Sequence, residues 1–176
     1  MKIYKKIFIL FFLIIFFNLS LKADTTYPSF VDFKFILNES DAGKKAQAFI
    51  KKELNSGLKK IKEKQTKLQE EEKKIIQQKK ILSPEEYKKK VSDLRGQVSS
   101  LQKERNKILK SVADYRNKAK QELLKNLNPI IEGYMKEKKI RMVIDKKNIL
   151  MADKSLEITK DIMALLNKKL KSIDLK

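Results

Sequence analysis

Five lysines flank Pro84 in the stretch KKILSPEEYKKK, residues 79–90. Lys79 and Lys80 precede it, Lys88, Lys89 and Lys90 follow it, and Tyr87 lies between. Arg95 and Lys103 continue the series. Such residues attract acidic or anionic partners, so they suit loose, multivalent contact with an unfolded client. They do not make a nucleophile–base pair. The whole chain of 176 residues has no cysteine and no histidine. Disulfides, thiol nucleophiles, Ser/His and Cys/His pairs and the commonest zinc and iron ligands are thereby excluded. No carboxylate cluster points to a metal, and no G-x-x-x-x-G-K-[ST] loop points to ATP. The chain reads as a binding protein, not an enzyme, with no cofactor.

Basic residues number 42 against 22 acidic ones, a net charge of +20. Four glycines and three prolines leave little turn material, so helix is expected. The N-terminus has its own pattern. Lys2, Lys5 and Lys6 precede the apolar run Ile7 to Phe17, and Ala23 follows at a plausible cleavage point. A membrane-spanning helix needs roughly 20 apolar residues, and this run is shorter. Residues 1–23 read as a signal peptide cleaved near Ala23, the alternative being a retained anchor. Export to the periplasm is the expected localisation, and the lack of cysteine is compatible with it.

The elements that must carry the lysines come next. Leu54, Ile61, Leu68, Ile75 and Leu82 recur every seven residues, but the second seam position runs Leu58, Gln65, Glu72, Lys79. After Pro84 the series is Tyr87, Val91, Leu94, Val98, Leu101, Arg105, Ile108, Val112, Tyr115, Ala119, spaced four and three. Sustained heptads on both sides predict a coiled coil with a partly polar seam. Ser83, Pro84 and Glu86 have the order of a capped helix start, and Leu82 before proline is pushed out of helical geometry. A capped restart favours reversal at Ser83 over a kink in one helix. Residues whose numbers total 166 then face each other, pairing Leu54 with Val112, Leu58 with Ile108, Leu68 with Val98 and Ile75 with Val91. Gln65 falls opposite Leu101, Glu72 opposite Leu94 and Ile61 opposite Arg105. The result is an arm of residues 44–127, about 60 Å long, with its tip near 81–84 and some freedom to bend. It carries 25 basic and 11 acidic residues.

Residues 24–43 and 128–176 remain for a small β-rich body. Residues 29–33, SFVDF, alternate as a short strand, and 34–42 carry turn and capping residues, with Asn38, Ser40 and Asp41 as candidate caps. Asn128-Pro129 marks a second restart or kink. IRMVIDKKNILMA, residues 140–152, reads as a β-hairpin about a lysine turn. Thr159 is a candidate cap for a last helix with the stripe Ile162, Leu165, Leu166, Leu170. So few strands are marginal alone, which points to oligomerisation through the body. Val31, Phe33, Met142, Val143, Ile144, Ile149 and Met151 are its candidate contacts. The fold class is α+β, mostly α: a long antiparallel helical hairpin on a small β body.

Taken in order, FVDFKFILNESDAGKKA (30–46), LSPEEYKKK (82–90) and IIEGYMKEKKIRMVIDKKNILMADKSLEITKDIMALLN (130–167) resemble the Skp (OmpH-like) periplasmic chaperone family over essentially the whole mature chain. Glu157 departs from the Asp often found there. The resemblance implies a homotrimer whose bodies share a β-barrel and whose three arms enclose a cavity for unfolded outer-membrane β-barrel proteins. An anionic membrane lipid or lipopolysaccharide is a further expected partner, with no residue assignable to it here. The rival readings are a nucleic-acid-binding protein, a passive coiled-coil envelope scaffold and a prefoldin-like cytosolic holdase. With four arginines and basic residues spread around a heptad seam, any nucleic-acid binding is expected to be nonspecific.

Overall fold

The computed structural model describes residues 27–175; the signal-peptide reading of residues 1–23 lies outside them. Strand β1 covers Ser29–Val31, and helix α1, Phe33–Glu39, follows at once. The junction is made by Asp32, whose Oδ1 accepts from the Phe35 N–H at 2.8 Å. This corrects two expectations. The strand is shorter than 29–33, and residues 34–42 are helical save for Ser40. Phe33 is therefore a helix residue, half-buried against the body core. Local turn propensity in KFILNES gives way to burial of Ile36, which is fully enclosed.

Ser40, in extended geometry, caps helix α2, Asp41–Gln77, accepting from the Gly43 N–H at 3.2 Å. A Cβ at Gly43 would sit 2.2 Å from the Leu37 carbonyl oxygen, so only glycine lets α1 and α2 meet this closely. Helix α2 is built from Lys, Glu, Gln and Leu, all good helix formers. It tightens into a 3-10 turn at Gln78–Lys80, and helix α3, Pro84–Lys138, returns antiparallel to it. At Pro129 α3 neither restarts nor stops. The proline forfeits one helical hydrogen bond. Leu127 and Ile131 on either side are buried in the body core, and that packing holds the helix through the defect.

Strand β2, Val143–Asp145, lies parallel to β1, with Ser29 opposite Val143 and Val31 opposite Asp145. The hairpin expected at 140–152 does not form in the single chain. A two-residue hairpin turn needs positive φ, supplied by Asn or Gly, and Lys146-Lys147 cannot supply it cheaply. Asp145 instead accepts from the Lys147 N–H and starts a 3-10 turn, Lys146–Asn148. A second such turn, Lys154–Leu156, leads to a parallel bridge between Phe30 and Glu157. The β content of the described body is thus small.

Helix α4, Thr159–Lys169, closes the core with Ile162 and Leu166, both fully buried. Leu165, assigned to the same stripe, is 38% exposed. Thr159 is not the cap of α4: Ile158 holds that position without a side-chain bond. The Thr159 hydroxyl instead accepts from the Asp32 N–H at 2.9 Å and donates to Glu157 Oε1 at 2.8 Å. It ties the start of α1 to the start of α4. Thr159→Val keeps the shape and strands that N–H, so a loss of about 1–3 kcal/mol is expected. Urea unfolding followed by circular dichroism measures it; no change would mean water replaces the hydroxyl.

Candidate client-binding surface

The arm is a hairpin in the expected register. The Phe49 and Tyr115 rings meet edge to face at 5.3 Å, and Lys64 pairs with Glu104. Gln97 Nε2 donates to Glu71 at 3.4 Å. A Cβ on Gly57 would come within 2.8 Å of the Ile108 side chain, so Gly57 admits Ile108 into the seam. Each of these pairs falls within two of the expected total of 166.

The seam is uneven. Ile61, Ile75 and Val112 are buried, but the middle of the arm holds an open groove of about 810 Å³. Leu58, Gln65, Glu72, Arg95, Val98 and Arg105 are among its lining residues. The polar side chains expected to weaken the seam are thus where the helices fail to close over each other.

The tip is stiffer. Ser83 and Glu86 form a reciprocal capping box: the Glu86 N–H donates to Ser83 Oγ at 3.3 Å, and the Ser83 N–H and hydroxyl both donate to Glu86 Oε2. Those bonds, the hydroxyl's first, hold the Glu86 carboxyl below its ordinary value of 4.5. A lowered carboxyl pKa stabilises the fold above the unfolded value. The contribution fades as pH falls below 4.5 and through the folded pKa. Ser83→Ala is expected to raise the Glu86 pKa toward 4.5 and to cost the local helix start about 1 kcal/mol. An NMR titration of the Glu86 carboxyl reads the first and amide exchange over residues 84–88 the second; an unchanged midpoint would mean the box does not persist in solution.

The predicted contact residues divide between sites. Lys79 and Lys80 occupy the 3-10 turn, and the Lys79 ammonium lies 5.8 Å from the centre of the Tyr87 ring. These three share the tip. Lys88, Lys89 and Lys90 are exposed, but successive helical residues diverge by about 100°, so they fan around α3 instead of forming one patch. Arg95 lines the mid-arm groove, while Lys103 is exposed outside its lining. The body residues divide too. Val31 is fully buried, Val143, Ile144 and Ile149 are half-buried, and Met142 and Met151 stand in solvent.

Sequence reasoning missed the exposed apolar side chains. Ile81 is 84% exposed at the tip, and Ile76, Val98 and Leu109 are uncovered along the arm. Three of them lie off the heptad seam, next to Ile75, Leu82 and Ile108, and that position was the available signal. In the body Leu150 is fully exposed at 104% beside Met151 at 90%.

This chain therefore has the parts of a known architecture: a long basic hairpin rooted in a small body by a first strand and a last helix. The family model described as outer membrane protein (OmpH-like) matches residues 29–166. The chain belongs to the OmpH-like family. The same fold occurs in the crystal structure of an OmpH-like protein from Caulobacter crescentus CB15, proposed as an outer membrane chaperone. The TM-score is 0.76 over 84% of this chain and 89% of that one, at 19% sequence identity. At that identity the likeness establishes the OmpH-like fold. No curated protein matches the chain.

Proposed function

We propose that this OmpH-like chain is an ATP-independent holdase of the periplasm. It binds unfolded outer-membrane β-barrel proteins between basic helical arms and keeps them from aggregating. The observation that carries this is the arm itself: a lysine-rich hairpin that leaves Ile76, Ile81, Val98 and Leu109 uncovered along its length. Charge draws the client in from a distance, and scattered apolar contacts hold it without fixing one conformation. Binding of that kind needs no nucleotide. Membership of the OmpH-like family supports the same reading. An anionic lipid or lipopolysaccharide headgroup is a further partner that such an arm attracts.

Three copies join through their bodies. Met142, next to β2, and Leu150 and Met151 are exposed apolar side chains of the body, and a second copy is the natural cover for them. In sedimentation at micromolar concentration a trimer is expected, and a stable monomer would sink this part. Diluting an outer-membrane β-barrel protein from urea in the presence of substoichiometric trimer tests the main reading. Suppressed light scattering, stronger at low salt, is the expected result; no suppression at low salt would count decisively against it.

A further inference from the structure

The two faces of the arm differ in chemistry. On one, Leu58, Lys62, Arg95, Val98 and Arg105 line the mid-arm groove. The interval of seven that sets the seam carries this face along α3, where Arg95, Gln102, Leu109 and Arg116 follow one another. Arg116 in turn lines a second open groove, of about 660 Å³, at the arm root. Along α2 the same interval links Lys62, Gln69 and Ile76. Three of the chain's four arginines therefore fall on one face. So do Leu58, Ile76, Val98 and Leu109, the exposed large apolar side chains of the arm apart from Ile81 at the tip. Lys62, Arg95, Arg105 and Arg116 enter no ion pair among the described residues. Glu72 is the one carboxylate among the described residues that line the mid-arm groove.

The opposite face also has an open groove, but a self-satisfied one. On α3 it takes Asp93, Gln97, Ser100 and Glu104, which flank the seam on the side away from Arg95 and Gln102. Its charges answer one another: Lys64 pairs with Glu104, and Gln97 donates to Glu71. Its apolar lining is Leu68 and Leu101, both half-buried in the seam. At the root of the arm, Leu175 of the chain beyond α4 is buried with Ala46, Ile50, Val112 and Ala119. That cluster is filled, and no residue of the tail lines the root groove beside Arg116.

We infer that the arm binds its client on the arginine-bearing face alone, and that this face selects extended polypeptide in which carboxylates are set among apolar residues. Arginine's planar fork matches a carboxylate, and its weak hydration lets it sit against apolar surface. The other cations of this face are lysines, which act as point charges. Ten residues of helix set Arg105 about 15 Å from Arg95, and eleven more set Arg116 about 16 Å beyond it. An extended chain covers such a gap in about five residues. Leu58, Val98 and Leu109 are placed to take the apolar side chains between. That the natural ligand is an unfolded client rests on the holdase reading. Lys103, seven residues from Gly96 of the opposite groove, takes no part.

The test removes equal charge from each face of the full chain. One variant carries Arg95→Gln, Arg105→Gln and Arg116→Gln; the other carries Lys67→Gln, Lys103→Gln and Lys107→Gln on the opposite side. The probe is a fluorescein-labelled peptide of eleven residues, with Glu first, sixth and last and Leu, Thr and Val between. By fluorescence anisotropy, the arginine variant is expected to bind it at least fivefold more weakly than the unsubstituted chain, and the lysine variant less than twofold. Equal weakening would mean that only net charge matters and would overturn the proposal, as would unchanged binding by the arginine variant. Leu109→Ser, a change at an exposed side chain, is expected to weaken binding at least threefold even should the triple variant lose helix content; no effect would overturn the apolar half of the proposal. The chain has no cysteine, so a single environment-sensitive dye can be placed at Gln102→Cys or Ser100→Cys. Peptide is expected to shift the dye at 102 and not at 100, and the reverse would overturn the assignment. If the peptide binds this face but the protein fails to hold outer-membrane proteins, the holdase reading falls and the face stands. If both triple variants hold them equally well, the face falls and the holdase reading stands.

Discussion

Leu127→Ala is expected to destabilise the body by about 2–5 kcal/mol, the range for removing a fully buried leucine. Leu127 lies on α3 with no exposed surface, in one cluster with Val31, Ile36, Leu123, Ile131, Ile158, Ile162 and Leu166. Those side chains come from β1, α1, α3 and α4 and the residue before α4, so the cavity would open where most elements of the body converge. Pro129, two residues on, already denies α3 one hydrogen bond. With the packing gone, the helix has least to hold it straight at that point. Hydrogen exchange gives a spatial readout. Amides of α4 and β2 are expected to lose protection, while those of the outer arm keep theirs. A loss below 1 kcal/mol would mean that the body's stability resides elsewhere.

Shortening the arm has the larger functional effect. Deleting residues 62–75 and 91–104 removes two heptads from each side and keeps the facing register, because each deleted residue has its partner deleted. The tip with its capping box survives, as do Leu54, Val112 and the root cluster. The variant loses the mid-arm groove and the uncovered Val98. It is expected to fold and assemble like the parent and to lose most of its capacity to hold a large unfolded client, by tenfold or more in the protein needed for half-suppression of aggregation. Undiminished holding would place the client on the body. Loss of assembly would mean that the arm, not the body, joins the copies.

The arm was legible in the sequence because its determinants are local and periodic. Heptads set the two helices, and Ser83, Pro84 and Glu86 set the reversal. Register followed from the position of one turn. The body was less legible, since its decisive contacts join residues far apart. Nothing near Thr159 signals that its hydroxyl receives the Asp32 N–H, and nothing near Val143 signals a parallel partner at Ser29. An alternating run with a lysine turn looks the same whether it closes on itself or pairs elsewhere. Leu175 lay outside any periodic pattern, so its burial at the arm root had no precursor in the sequence. For the candidate site, charge was readable, but which lysines converge was not. Lys79 and Tyr87 meet across the turn, whereas Lys88, Lys89 and Lys90 diverge around a helix.

The pairing of β1 bears on the order in which the molecule can form. A chain made from its N-terminus presents Ser29–Val31 early, but the partners Val143–Asp145 and Glu157 emerge only after the entire arm. The two arm helices need only each other and a tight turn, contacts that grow outward from Ser83 at small sequence separation. The arm therefore zips from its tip while the first strand still waits, an unpaired edge beside an unfinished core. On the proposed reading, a newly made copy completes the arm that meets a client before the body through which copies would join, and assembly is the last event, timed by the arrival of the final helix.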